Sequence, residues 1–159
     1  MNKKLWIIAF IVLAALGFTD SLYMSYLHYA PGSTEWCKLS PEFDCDIVNK
    51  SYFSTIDGTI NYALGTYFNI PIPNAILGAF VFAFLFTAGI YIYKGKTLFG
   101  ITPKKLVYTC RTLLVISILY GVFLMYVQKY LLMSWCIFCL ILDAVIFFSM
   151  ICALVMYHE

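Results

Sequence analysis

Residues 133–156 read MSWCIFCLILDAVIFFSMICALVM and contain a single charged side chain, Asp143. An α-helix needs about 20 consecutive apolar residues to cross a bilayer, so this stretch is long enough to span one. Near its start, Cys136 and Cys139 form a Cys-x-x-Cys motif, a spacing that redox-active dithiols use. The sequence therefore predicts a dithiol held at the edge of a membrane.

The composition of the whole chain is that of a membrane protein. Of its 159 residues, 63% are hydrophobic and 11% are charged, which is too much apolar surface for a water-soluble globule. Four segments are long and apolar enough to span a bilayer, and they are roughly residues 5–29, 71–93, 106–130 and 133–157. We therefore predict an all-α membrane protein, a bundle of four transmembrane helices that forms a single integral membrane domain over residues 1–159.

The distribution of basic residues predicts the orientation of this bundle. Most of them lie at the amino terminus or around the connection between segments 2 and 3, namely Lys3, Lys4, Lys94, Lys96, Lys104, Lys105 and Arg111. Because basic loops stay in the cytoplasm, we expect both termini to be cytoplasmic. The first apolar segment runs past Gly17, too far for a cleaved secretory signal, so we expect it to be retained as a helix.

The connection between segments 1 and 2, residues 30–70, is then a long extracytoplasmic loop. Loops of about 40 residues are uncommon and tend to be functional. This loop contains Cys37 and Cys45, and most of the acidic residues of the chain. Apolar residues at mixed spacing over residues 47–56 predict a short helix within it.

Four cysteines fall on the outer side of the predicted bundle: Cys37 and Cys45 in the loop, Cys136 and Cys139 at the start of segment 4. Disulfides persist on this side of a membrane. Residues three apart share a helix face, so Cys136 and Cys139, the inner pair, can form a disulfide. Cys139 lies about 4.5 Å deeper along the helix axis. We expect Cys136 to exchange with the loop and Cys139 to meet a molecule within the lipid. The four cysteines allow three disulfide pairings.

These cysteines also have simpler explanations. Cys110 and Cys152 are expected near the cytoplasmic side, where we interpret them as small apolar packing residues. The loop pair alone fits a structural staple, and four thiolates together can bind zinc. A doubly negative four-thiolate centre at the edge of hydrocarbon would be poorly solvated, however. The presence of two pairs on one face favours an electron relay over structural cysteines.

The order of motifs resembles that of the vitamin K epoxide reductase family. The matching pieces are Ser21-Leu22-Tyr23, Cys37 through Cys45-Asp46-Ile47-Val48 with Ser51, Pro71 through Asn74-Ala75-Ile76-Leu77-Gly78, and Cys136-Ile137-Phe138-Cys139. The resemblance covers nearly the whole chain, although segment 3 matches in hydropathy only.

This resemblance implies a thiol-to-quinone electron relay. Cys37 would exchange with a reduced thioredoxin-fold protein, Cys45 would pass the electrons to Cys136, and Cys139 would reduce a membrane quinone of the ubiquinone, menaquinone or vitamin K type. The chain ends without a fused thioredoxin-like domain. We therefore expect a separate thioredoxin-fold thiol oxidase as partner, in a microbial system that forms disulfide bonds. The formal charge of +2 gives no reason to expect a nucleic-acid partner.

Two polar residues match family positions near the quinone. Asn74 matches an asparagine that hydrogen-bonds a quinone carbonyl, and an amide donor in apolar surroundings is a strong one. Its alternative role is that of a helix N-cap after two prolines. Ser51 matches a loop serine near the cysteines, and it also fits the N-cap of the short outer helix. Trp36 and Trp135 each precede a cysteine, where they either wall the site or anchor the chain at the membrane surface.

Asp143 departs from the animal enzymes of the family, which have a tyrosine four residues after the second cysteine of the motif. This departure argues against vitamin K epoxide as substrate, and an animal-type reductase is the alternative within the same class. A membrane scaffold or metal-binding protein with structural cysteines is the alternative from another class. Ionisable groups inside a bilayer are functional candidates, so we expect Asp143, Asp20 or both to hand protons to the reduced quinone. The other explanation for Asp143 is a hydrogen bond to a Tyr or Ser of a neighbouring helix.

Overall fold

The structure, a computed structural model, describes residues 3–31, 37–40 and 42–156. Its elements in chain order are α1 (Lys3–Tyr29), β1 (Lys38–Ser40), β2 (Phe43–Asp44), α2 (Cys45–Asn49), a 3-10 helix (Tyr52–Ser54), α3 (Ile56–Leu64), α4 (Asn74–Lys94), α5 (Pro103–Tyr126), a π-helix (Val127–Leu132) and α6 (Ile137–Val155).

Four helices of the described chain are long and apolar enough to cross a membrane: α1, α4, α5 with its π-helical extension, and α6. A helix satisfies its backbone hydrogen bonds internally, which is the requirement for a segment surrounded by lipid. The predicted all-α membrane protein with four spanning helices is therefore confirmed. Within the bundle, α1 packs most extensively against α4 and next against α6, whereas α4 and α5 contact each other less.

The main apolar core lies where the four long helices meet. Phe10 of α1 and Phe82 of α4 are almost fully buried there, together with Cys110 and Cys152, which agrees with a packing role for these two cysteines. Gly17 lets α1 approach α4 closely, because a Cβ at this position would collide with the ring of Phe82. Small residues at helix contacts are the usual means of close packing in membranes.

Arg111 joins α5 to the carboxyl end of α6. Its Nε and Nη2 donate to the carbonyl oxygen of Ala153 at 3.0 and 2.9 Å, and Nη2 also donates to the carbonyl of Leu154 at 3.0 Å. The last carbonyl groups of a helix lack partners within it, and the helix dipole favours a cation near them. The guanidinium therefore stabilises the end of the bundle that is remote from the loop.

Two long helices start later than the sequence predicts. α4 begins at Asn74 instead of residue 71, because Pro73 has an extended backbone and takes the N-cap position. α6 begins at Ile137 instead of residue 133, because Met133 has a φ of 50° and Trp135 forms an extended bridge with the loop. α5 and its extension cover residues 103–132 instead of 106–130. The predicted end of segment 4 at residue 157 lies outside the described residues.

The loop contains two short α-helices in place of the one predicted over residues 47–56. α2 ends at Asn49 and α3 begins at Ile56, and the 3-10 helix lies between them. Asn49 fastens α2 to the outer end of α1: its Nδ2 donates to the carbonyl of Met24 at 3.0 Å, and its own carbonyl accepts from Nδ1 of His28 at 2.6 Å. The loop is therefore fixed to α1 close to its cysteines.

Candidate active site

The two cysteines of the loop and the two at the start of α6 share one apolar cluster. Cys37, Cys45 and Cys136 are at most 2% exposed, and Cys139 packs against them. Cys37 and Cys45 form a disulfide, whereas Cys136 and Cys139 are free thiols. Of the three pairings that the sequence leaves open, the structure thus contains the disulfide within the loop and has the inner pair reduced.

A backbone pairing brings the loop cysteines to the inner pair. The N–H of Trp135 donates to the carbonyl of Glu42 at 2.8 Å, and the N–H of Asp44 donates to the carbonyl of Trp135 at 3.1 Å. Cys45 directly follows Asp44, and Cys136 directly follows Trp135. This pairing between β2 and the start of α6 therefore places Cys45 and Cys136 in the same small region.

Cys136 is the N-cap residue of α6 and precedes its membrane-spanning part. Its Sγ accepts from the N–H of Cys139 at 3.3 Å. The hydrogen bond from the Cys139 side chain lowers the pKa of the Cys136 thiol. The positive end of the helix dipole also favours a thiolate at this position. Because its surroundings favour the thiolate, Cys136 is the residue of the inner pair that is better suited to thiol–disulfide exchange.

Gln128, which the sequence analysis missed, holds Cys136 from the end of α5. It is 2% exposed, and its Oε1 accepts from the N–H of Cys136 at 2.9 Å. Its backbone carbonyl accepts from the N–H of Ser134 at 3.1 Å. Gln128 belongs to the π-helix Val127–Leu132, and π-helical turns occur frequently at functional sites. The only sequence signal for it was an amide side chain near the outer end of an apolar segment.

A cavity of about 430 Å³ lies between α4, α5, α6 and the loop. Its wall is mainly apolar, and its polar lining includes Cys139, Asn74, Tyr120 and Asp143. Small-molecule sites in proteins typically have volumes of about 300–1,000 Å³ and a few convergent polar groups. The cavity therefore has the size and lining of a site for a small, mostly apolar molecule next to one of the inner thiols.

Asn74 lies in this cavity wall as the first residue of α4. Its predicted alternative role as the N-cap is wrong, because Pro73 occupies that position. The Nδ2 of Asn74 donates to the carbonyl of Phe53 at 2.9 Å, and its Oδ1 accepts from the hydroxyl of Tyr120 at 2.8 Å. Tyr120 was also missed by the sequence analysis, which had no signal to distinguish it among 13 tyrosines.

Ser51 also lines the cavity. It occupies the N-cap position of the 3-10 helix, but its hydroxyl does not cap that helix and donates instead to the carbonyl of Val48 at 2.8 Å. Trp135 is not part of the cavity wall and contributes its backbone to the pairing with the loop. Trp36 lies outside the described residues.

The two carboxyl groups within the bundle differ in position. Asp143 lines the cavity one helical turn from Cys139, and its carboxyl group packs against Gly121, where a side chain would collide with it. Asp20 does not line the cavity, and its Oδ2 is buried without a hydrogen-bond partner among the described residues. The geometry therefore favours Asp143 as the carboxyl group that meets a bound molecule.

Four helices long enough to span a membrane, a loop disulfide and a dithiol beside an apolar cavity define an integral membrane protein with four clustered cysteines. Across the ranges that the structure describes, no group of three or more His, Cys, Asp or Glu side chains is arranged to hold a metal ion.

The sequence profile of the Vitamin K epoxide reductase family matches residues 8–154. The chain therefore belongs to this family, which confirms the resemblance drawn from its motifs, and it is a membrane oxidoreductase. Proteins of the family generally use quinones. A comparison with individual curated proteins finds no match.

Replacing Gln128 tests how Cys136 is held. Gln128→Leu removes the acceptor for the buried N–H of Cys136, and an unsatisfied buried donor costs about 1–3 kcal/mol. We expect a lower Tm in detergent and faster hydrogen exchange in a peptide covering residues 134–140, measured by mass spectrometry. Gln128→Glu keeps an acceptor oxygen and should preserve more of the protection. Equal exchange rates in the wild type and Gln128→Leu would contradict this role.

Proposed function

We propose that the protein transfers two electrons from a reduced thioredoxin-fold partner, through its four outer cysteines, to a membrane quinone, and so supports disulfide bond formation. One observation carries this proposal: Cys139 lines the apolar cavity, while Cys136, three residues earlier, is buried beside the loop disulfide. A single dithiol is thus adjacent both to a thiol–disulfide exchange partner and to a site for an apolar acceptor.

The residues of the cavity fit a quinone ring. The mainly apolar wall suits the ring, and a second N–H of the Asn74 amide is left to donate to a carbonyl oxygen. We propose that Asn74, Ser51 and Asp143 hold the ring at its polar edge. A quinone bound there would supply the terminal acceptor for two electrons and two protons.

The two electrons of the partner pass to the inner cysteines by successive thiol–disulfide exchanges. A partner thiolate attacks Cys37, which breaks the loop disulfide and frees Cys45 as a thiolate. Cys45 then attacks Cys136 of an oxidised inner pair and frees Cys139. The second partner thiol displaces Cys37, so that the partner leaves as a disulfide, and Cys37 restores the loop disulfide by displacing Cys136 from Cys45.

After the electrons have passed inward, the loop disulfide is closed again and the inner pair is reduced. Oxidation of Cys136 and Cys139 to a disulfide then releases two electrons and two protons. We propose that the Asp143 carboxyl group, one turn below Cys139, passes a proton to the ring oxygen and regains one from the thiol.

We further propose that both termini are cytoplasmic and that the loop faces the outside, in a microbial cell membrane. The concentration of basic residues at the amino terminus and between α4 and α5 supports this orientation. The cysteines would then lie on the oxidising side, where a disulfide-forming system operates.

Quinol formation by the purified protein tests the relay. With a reduced thioredoxin-fold protein and a soluble quinone, the wild type should form quinol, followed by absorbance. Replacing Cys37, Cys45, Cys136 or Cys139 with Ala should reduce the rate to background. Cys110→Ala and Cys152→Ala, which change buried core cysteines, are the matched controls and should keep most of the rate. Full activity of Cys139→Ala would refute the relay, and turnover of vitamin K epoxide would favour the animal-type alternative.

Replacing Asp143 tests the proposed proton transfer. Asp143→Asn has nearly the same shape but cannot donate a carboxyl proton, so quinol formation should slow by about 100-fold or more, the range of general acid catalysis. Exchange between the partner and Cys37–Cys45 should be unaffected, as followed by alkylation and mass spectrometry. Asp20→Asn is the comparison, with a smaller effect because Asp20 is not in the cavity wall. A rate for Asp143→Asn that equals the wild-type rate at every pH would exclude this role.

Reporter fusions test the orientation. Green fluorescent protein fused after the last residue should be fluorescent, because its folding requires the cytoplasm, and alkaline phosphatase at the same position should be inactive. Phosphatase fused within the loop, after residue 66, should be active. The reverse pattern would show that the loop faces the cytoplasm.

A further inference from the structure

We propose that Tyr120 is a positioning residue of the quinone site, whose hydroxyl holds the Asn74 amide so that one N–H faces the cavity. This inference rests on the proposed function, because it specifies how the same site recognises a quinone carbonyl.

Three elements meet at the Tyr120 hydroxyl. Tyr120 lies on α5 and lines the cavity. Its hydroxyl oxygen is 2.8 Å from Oδ1 of Asn74, on α4, and 2.9 Å from Oγ1 of Thr59, on α3. The Nδ2 of Asn74 is 2.9 Å from the carbonyl oxygen of Phe53. The amide is therefore held on both of its polar atoms.

Only one orientation of the Asn74 amide satisfies these contacts. The carbonyl of Phe53 is an acceptor only, so it must face the NH₂ group of the amide. The Oδ1 atom then faces Tyr120, whose single hydroxyl proton must be directed at it. The phenol proton is thus used by Asn74, and the phenol oxygen competes with the carbonyls of Ile56, at 2.9 Å, and Thr55, at 3.2 Å, for the single proton of the Thr59 hydroxyl. A flipped amide would instead set two oxygen acceptors against each other at Phe53.

This orientation leaves one N–H for a ligand. The NH₂ group has two hydrogens, and Phe53 accepts one of them. Since Asn74 lines the cavity, the second can donate to a ring carbonyl. Such a bond strengthens as negative charge develops on the oxygen during reduction, provided that the donor is already aimed. The terminal torsion of Asn is broad, so without the Tyr120 hydroxyl the amide would lose this alignment.

Tyr120→Phe removes the hydroxyl and keeps the ring in the cavity wall. We expect the KM for a soluble quinone to rise about tenfold, the equivalent of one hydrogen bond of about 1.4 kcal/mol, with a smaller loss in kcat. Exchange between the partner and Cys37–Cys45 should keep its wild-type rate. Tyr108→Phe and Tyr126→Phe are matched controls, because both side chains lie on α5 but are 73% and 48% exposed. These controls should leave the KM within twofold of the wild type.

A double-mutant cycle separates positioning from general packing. If Tyr120 acts through the amide, Tyr120→Phe should raise the KM less than twofold in an Asn74→Ala background. An equal tenfold rise in both backgrounds would overturn the inference, and so would an unchanged KM for Tyr120→Phe in an otherwise active protein. A wild-type protein that exchanges with the partner but reduces no quinone would overturn the proposed function, and this inference with it.

Discussion

The hydrogen bonds between the backbone of Trp135 and those of Glu42 and Asp44 determine where the cysteines meet. Backbone N–H and carbonyl groups that are removed from water need hydrogen-bond partners. The segment between the π-helix and α6 is not helical, so it cannot supply these partners itself, and the loop supplies them instead. Because Cys45 and Cys136 follow the paired residues directly, the hydrogen bonds that satisfy this backbone also bring the two pairs of cysteines together.

The polar groups of the cavity wall come from different helices. α6 carries Cys139 and Asp143, while α4 and α5 carry Asn74 and Tyr120 on another part of the wall. Hydrogen bonds are stronger in such apolar surroundings, and an unpaired polar group costs correspondingly more. A few polar side chains are therefore enough to orient a molecule in a cavity that is otherwise lined by hydrocarbon.

Local sequence patterns were sufficient to predict the four spanning helices, because apolar length is a property of neighbouring residues. The start of α6 could not be predicted in this way, since the backbone of Trp135, just before the helix, pairs with that of Asp44, which is distant in the chain. The role of Tyr120 could not be predicted either, because its partner Asn74 is 46 residues away and no neighbouring residue indicates the contact. Residues whose roles depend on distant partners were thus the ones that required the structure.

The unequal packing of the bundle separates part of the cavity wall from the cysteine cluster. α1, α4 and α6 pack extensively and carry the anchored loop and the inner cysteines, whereas α5 makes fewer contacts with α4. On α5, Leu113, Ile116 and Ser117 form part of the cavity wall and none of them belongs to the cysteine cluster. Substitutions there reshape the wall while the sulfur atoms keep their arrangement. The shape of the cavity can therefore change without any change in the arrangement of the four cysteines.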